Sequence, residues 1–107
     1  MNSPTPEQLN EVLFRIVPAI HPLRVILFGS AARGEMGPDS DIDLLVVMPD
    51  GTHRRHTMVE LHRLFMGLPF PVDVVVATPD DLQKRQNSSS YIYSAALREG
   101  RELYAAR

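Results

Sequence analysis

Asp41-Ile42-Asp43 opens an apolar run that continues as Leu44-Leu45-Val46-Val47. In a strand, residues i and i+2 point to the same face. Asp41 and Asp43 therefore project together, while Ile42 and Leu44 turn the other way, into a core. Two carboxylates held side by side repel each other unless a cation sits between them. Hard oxygen donors on a rigid strand suit magnesium, which is commonly held by one or two carboxylates plus substrate phosphates. Upstream, the run Val25-Ile26-Leu27-Phe28 ends in Gly29-Ser30. Glycine lets a backbone approach a ligand closely. Exposed amides at such a turn, with the Ser30 hydroxyl, can hold phosphate oxygens. Arg33 can add charge-assisted contacts, including bidentate ones.

These residues need elements that bring them together. A parallel crossover takes about a dozen residues or more and usually a helix. The connection from Ser30 to Ser40 holds Gly34, Gly37 and Pro38, so no long helix fits. The two runs are then an antiparallel strand pair, and Gly29-Ser30 meets Asp41 and Asp43 at one sheet edge. Pro49-Asp50-Gly51 ends the second strand as a turn. A helix is expected from Thr52 to Met66, with Met58, Leu61, Leu64, Phe65 and Leu68 facing the core. After Pro69-Phe70-Pro71, residues Val72-Asp73-Val74-Val75-Val76-Ala77 read as a third strand. Strand, helix, strand implies a right-handed crossover with strands two and three parallel. Asp73 then joins Asp41 and Asp43 at the same end of the sheet.

The flanks read as scaffold. Thr5-Pro6-Glu7-Gln8 is a capping-box start. Leu9, Val12, Leu13, Ile16, Val17 and Ile20 then repeat at helical spacing. That helix is expected to fray near Pro18, and Pro22 marks the turn into the first strand. Thr78-Pro79-Asp80-Asp81 caps a short helix to about Arg85. Asn87-Ser88-Ser89-Ser90 reads as a flexible polar loop. A further helix follows through Glu99, with core contacts from Ile92, Ala95, Ala96 and Leu97, and Gly100 ends it. Arg101-Glu102-Leu103-Tyr104 reads as a short last strand. The fold class expected is α/β: a small mixed sheet with helices packed on it, residues 1–107 forming a single domain.

Composition narrows the field. The chain has 107 residues, enough for one small core. It has no cysteine, hence no disulfide framework and no thiolate zinc site. No apolar run approaches a membrane span, and no N-terminal leader is apparent, so a cytoplasmic location is expected. With a net charge of −2, the chain lacks the basic balance of an independent nucleic-acid binder. His53 and His56 have a spacing that could hold a metal. No third soft ligand accompanies them, so they read as a polar helix face. No P-loop lysine motif or dinucleotide fingerprint appears, which removes support for kinase, GTPase and dehydrogenase readings.

Taken together, Leu27-Phe28-Gly29-Ser30-Ala31-Ala32-Arg33-Gly34 and Pro38-Asp39-Ser40-Asp41-Ile42-Asp43-Leu44 resemble the signature of the DNA polymerase beta-like nucleotidyltransferase superfamily, and specifically its minimal branch. The resemblance covers Val25 to Ala77, and the tail more weakly. It implies a nucleotidyltransferase fold and magnesium-dependent transfer of a nucleoside monophosphate, with ATP as donor. It implies that Asp41, Asp43 and Asp73 bind two magnesium ions and carry catalysis, Asp73 helping to deprotonate the acceptor. It also implies that Gly29, Ser30, Arg33 and Ser40 bind the nucleotide. Larger members carry an extra acceptor-binding domain, so here the acceptor surface is expected from a partner or from self-association. Minimal members pair with HEPN-type proteins in toxin–antitoxin systems, which implies an antitoxin that adenylylates its toxin on a hydroxyl. Two other readings stand beside it. One is a transferase acting on a small molecule such as an aminoglycoside. The other is a non-catalytic module that masks its partner.

Overall fold

The structure, a computed structural model, describes residues 3–37, 40–85 and 96–106. Helix α1 spans Pro6–Ile20. The Thr5 hydroxyl accepts the Gln8 amide at 3.1 Å, and the Gln8 side chain accepts the Thr5 amide at 2.9 Å, closing the expected capping box. Leu9, Val12 and Ile16 form its buried stripe. The helix does not fray at Pro18. It continues to Ile20 and ends at His21, whose φ of 49° is left-handed and whose amide bonds the Val17 carbonyl. Pro18 lacks only the hydrogen bond to the carbonyl of Phe14. Phe14 lies on the exposed side of the helix, where water can take that carbonyl.

Strand β1 (Arg24–Phe28) leads into a short helix α2 (Gly29–Arg33), closed by Gly34 at φ 71°. The glycines and proline that follow exclude a long helix here but leave room for one turn. Ala31 and Ala32 are good helix formers, and Ala31 is buried under the sheet's helical cover, which stabilises one turn. Strand β2 (Ile42–Val47) pairs antiparallel with β1, Phe28 opposite Asp43. Helix α3 covers Arg54–Leu64; it starts later than expected because His53 acts as its cap, Nδ1 accepting the His56 amide, and it ends earlier, with Phe65 as its C-cap. Strand β3 (Val72–Ala77) runs parallel to β2, as the crossover reading requires. Helix α4 spans Pro79–Arg85. Thr78 and Asp81 cap it reciprocally, each side chain accepting the other's amide. Strand β4 (Arg101–Ala105) adds antiparallel to β1, giving the sheet order β3-β2-β1-β4. The expected polar loop at Asn87–Ser90 and the helix contacts of Ile92 and Ala95 lie outside the described residues. Ala96 is buried as expected, at the start of the helical turn 96–99.

The sheet is covered on both faces. Val25, Leu27, Ile42, Leu44, Val46, Val74 and Val76 pack beneath α1, α2 and α3 with Leu61. Ile26, Leu45, Val47 and Ala77 pack on the other side with Leu82 of α4 and Ala96. Strand β2 is central and buried on both sides, so its only polar side chain, Asp43, stands out. Among the described residues no helix is long and apolar enough to cross a membrane.

Gly100 ends the turn 96–99, its amide bonding the Ala96 carbonyl at 3.0 Å. A Cβ there would meet Ile26 Cγ2 at 2.5 Å and the Leu27 carbonyl oxygen at 3.0 Å. The Ala96 carbonyl oxygen would be closer still, so the residue is glycine both for its own turn and because the chain presses on β1 at this point. Gly100→Ala should destabilise the fold by about 1–3 kcal/mol through overpacking. Urea unfolding measures this, and an unchanged midpoint would show that the turn yields freely.

Candidate nucleotidyl-transfer site

Two pairings create the site. The parallel register of β2 and β3 places Asp43 directly beside Asp73. The antiparallel register of β1 and β2 brings Phe28, and with it Gly29, against Asp43. Asp41 precedes β2 by one residue and is exposed. Three carboxylates thus gather at one end of the sheet, on strand starts and a strand entry.

Gly29 is needed for two reasons. Its φ is 71°, in the left-handed region, and a Cβ would stand 2.5 Å from Asp43 Oδ2. The turn after β1 therefore passes the carboxylate at a distance that only glycine permits. Ser30 follows directly, in the first turn of α2, and its carbonyl accepts the Glu35 amide at 2.8 Å.

Asp43 is partly buried, and its carboxyl is held above the ordinary range. Burial is the main cause. The charges of Asp73 and then Asp41 add to it, and Arg33 opposes them. Asp73 is exposed, and its Oδ1 accepts its neighbour's amide, that of Val74, at 3.1 Å. Among the described residues no three His, Cys, Asp or Glu side chains stand close enough to hold a metal ion between them. The carboxylates share a sheet end without converging, as like charges do. The donor set still fits a hard divalent cation. It is all oxygen, it sits at the starts of rigid strands, and the charge that Asp73 and Asp41 add around the half-buried Asp43 is charge that a cation would offset.

Arg33 lies within reach of the Asp43 charge, but its hydrogen bonds go elsewhere. Nε donates to Glu35 Oε1 at 2.5 Å, and Nη1 stands 3.7 Å from Glu99 Oε2. Ser40 Oγ accepts the Gly37 amide at 2.9 Å, closing a turn. Ser40 also lines a cavity of about 330 Å³ with Gln8, Met36, Phe70 and Pro71. That cavity borders the entries to β2 and β3 at the start of α1. Ile42 and Val72, by contrast with Asp43, belong to the face covered by α1 and α3. His53 and His56 stack with ring centroids 3.8 Å apart and serve as the start of α3.

Sequence reasoning missed Glu35 and Glu99. Glu35 carried a signal: it follows Arg33 by two residues across Gly34, a spacing that folds a carboxylate back onto a guanidinium. Glu99 carried none, because only the pairing of β4 with β1 brings it near.

The model of the nucleotidyltransferase domain family matches residues 7–102. The chain belongs to this family. The fold of this nucleotidyltransferase recurs in solved structures. A variant of the MntA–HpeT toxin–antitoxin complex is 19% identical with a TM-score of 0.65, over 92% of this chain and 74% of that one. A toxin–antitoxin structure with AMP-PNP is 21% identical with a TM-score of 0.64, over 92% and 74% of the two chains. A Sulfolobus solfataricus protein assigned as a nucleotidyltransferase is 20% identical with a TM-score of 0.64, over 92% and 78%. No curated protein matches this nucleotidyltransferase.

The raised Asp43 carboxyl has a consequence for stability. The folded enzyme binds this proton at a pH where the unfolded chain, near 3.8, has already lost it. Stability therefore falls as pH rises from the unfolded value through the folded one, and stays lowered above it. Asp43→Asn, which keeps the shape and removes the charge, should be more stable than the parent at neutral pH. The difference should shrink as the medium is acidified below the carboxylate range. Urea titrations at the two pH values measure it, and a variant less stable at neutral pH would contradict the electrostatic account.

Proposed function

We propose that this nucleotidyltransferase transfers AMP from ATP to a hydroxyl on a partner toxin protein, and that it acts as the antitoxin of that pair. The observation that carries the reading is Gly29 packed on Asp43, with Asp73 in register beside it. A phosphate-binding turn and paired carboxylates are what nucleotidyl transfer requires, and here they touch. The toxin–antitoxin assignment draws its support from the solved relatives of the same fold, two of which are toxin–antitoxin structures and one of those with AMP-PNP. The resemblance points to a HEPN-type toxin.

In this reading Gly29 and Ser30 hold the terminal phosphates through the α2 amides and the Ser30 hydroxyl. Arg33 contributes charge-assisted hydrogen bonds to them, and Ser40 orders the loop before Asp41. Asp41, Asp43 and Asp73 would hold two magnesium ions, which when bound neutralise phosphate charge and lower the pKa of a coordinated hydroxyl. The acceptor oxygen attacks the α-phosphorus, its proton passes to Asp73, and the bond to the β-phosphate breaks. The products are an AMP ester of the acceptor and pyrophosphate.

Intact mass of a candidate toxin, incubated with this protein, ATP and magnesium, tests the reaction. One added AMP is expected, and none with the Asp41→Asn, Asp43→Asn double variant. Full transfer by that variant would sink the mechanism. A toxin silenced without a mass change would indicate masking instead, and modification of a free aminoglycoside would indicate a small-molecule acceptor.

Arg33→Ala should selectively weaken binding of ATP, because a charge-assisted contact to the terminal phosphates is lost. AMP, which lacks the terminal phosphates, should be far less affected. Calorimetric titration of both nucleotides decides it, and equal losses would mean that Arg33 does not meet the triphosphate.

A further inference from the structure

Glu35 is bonded to both of the side-by-side residues proposed to hold the terminal phosphates. Its amide donates to the Ser30 carbonyl at 2.8 Å, and its carboxylate accepts from Arg33 Nε at 2.5 Å. The turn that allows this is Gly34, left-handed at φ 71°, which reverses the chain after α2. The Arg33 fork is thereby divided. Nε is engaged by Glu35, while Nη1 has only a long approach of 3.7 Å to Glu99. The end-on pair of Nη nitrogens is the edge that remains for a phosphate, and a planar guanidinium can present it bidentately. Asp43 is close enough for its charge to act on Arg33, so the fork sits at the flank of the carboxylates.

We infer that Glu35 is a positioning residue: it fixes the Arg33 guanidinium so that its free edge faces the β- and γ-phosphates of the nucleoside triphosphate. The inference rests on the reading of Arg33 as a triphosphate ligand. An unanchored arginine on the surface samples many rotamers, and ordering it on binding costs affinity. The Glu35 hydrogen bond meets that cost before the nucleotide arrives. A carboxylate this near a polyanion would otherwise be a liability, since it repels phosphate. Its hydrogen bond to Nε gives it a use.

The test is titration of ATP and of AMP, each with magnesium, into the parent and the Glu35→Ala, Glu35→Gln, Arg33→Ala and Arg33→Ala/Glu35→Ala variants. Glu35 is exposed, and its amide bond to Ser30 survives every substitution, so the fold is retained. Glu35→Ala should weaken ATP about three- to five-fold, the scale of an exposed ion pair, and leave AMP unchanged. Glu35→Gln, which keeps an acceptor for Nε, should recover part of the loss. In the Arg33→Ala background, Glu35→Ala should change the ATP-to-AMP ratio no further. If Arg33→Ala lowers ATP selectively but Glu35→Ala does not, or tightens ATP, then Arg33 binds phosphate unaided and this inference fails alone. If Arg33→Ala leaves the ratio unchanged, both the inference and the reading beneath it fail.

Discussion

The site depends on strand register. Asp43 is the one polar side chain of a central strand buried on both faces, and it faces outward only in the register observed. A slip of one residue would turn every β2 side chain to the other face. Asp43 would then enter the packed layer under α1 and α3, and Ile42 and Leu44 would leave it. Burial of those residues, with Val46, Val74 and Val76, is what prevents the slip. Each fully buried aliphatic side chain contributes roughly 1.5–3 kcal/mol. The core thus supplies the free energy that holds mutually repelling carboxylates side by side.

Much of this could be read from the residues. Alternation placed Asp43 opposite Ile42 and Leu44, and the short Gly- and Pro-bearing connection required an antiparallel pair. The helix between β2 and β3 required a parallel one, which brought in Asp73. These inferences rest on chain length and periodicity, which are local. What escaped was tertiary. Pro18 predicts fraying of α1, but the exposed Phe14 carbonyl tolerates the missing donor, and the buried Ile16 keeps the helix docked. Helix α2 was missed because five residues give no periodicity to read. The partners of Arg33 were missed because a guanidinium's target is set by what surrounds it. Its type alone suggests phosphate, while here Glu35 engages Nε and Glu99 stands 3.7 Å from Nη1.

Charge around the site is unevenly placed. Glu35, Glu99 and Asp43 act on Arg33, while Asp73 and Asp41 add their charge around Asp43. A nucleoside triphosphate entering such a field as a bare polyanion would be repelled by every carboxylate it approached. On the proposed reading it would enter with divalent cations that reverse the local sign. The Asp43 carboxyl is raised mainly by its burial, and the charges of Asp73 and Asp41 add to that.

The tail of the chain belongs to this arrangement. Strand β4 pairs with β1, and Arg24 donates to Glu102 across them at 2.6 Å. Gly100 then lets the preceding turn press on Ile26 and Leu27, three and two residues before the Gly29 turn. That contact sets Glu99 beside Arg33. The residues that resemble a signature motif lie between Leu27 and Leu44, but the electrostatic setting of Arg33 is completed from the far end of the chain. A motif match therefore locates the carboxylates and the glycine turn. Part of the charge that acts on Arg33, that of Glu99, comes from a segment that the motif does not include.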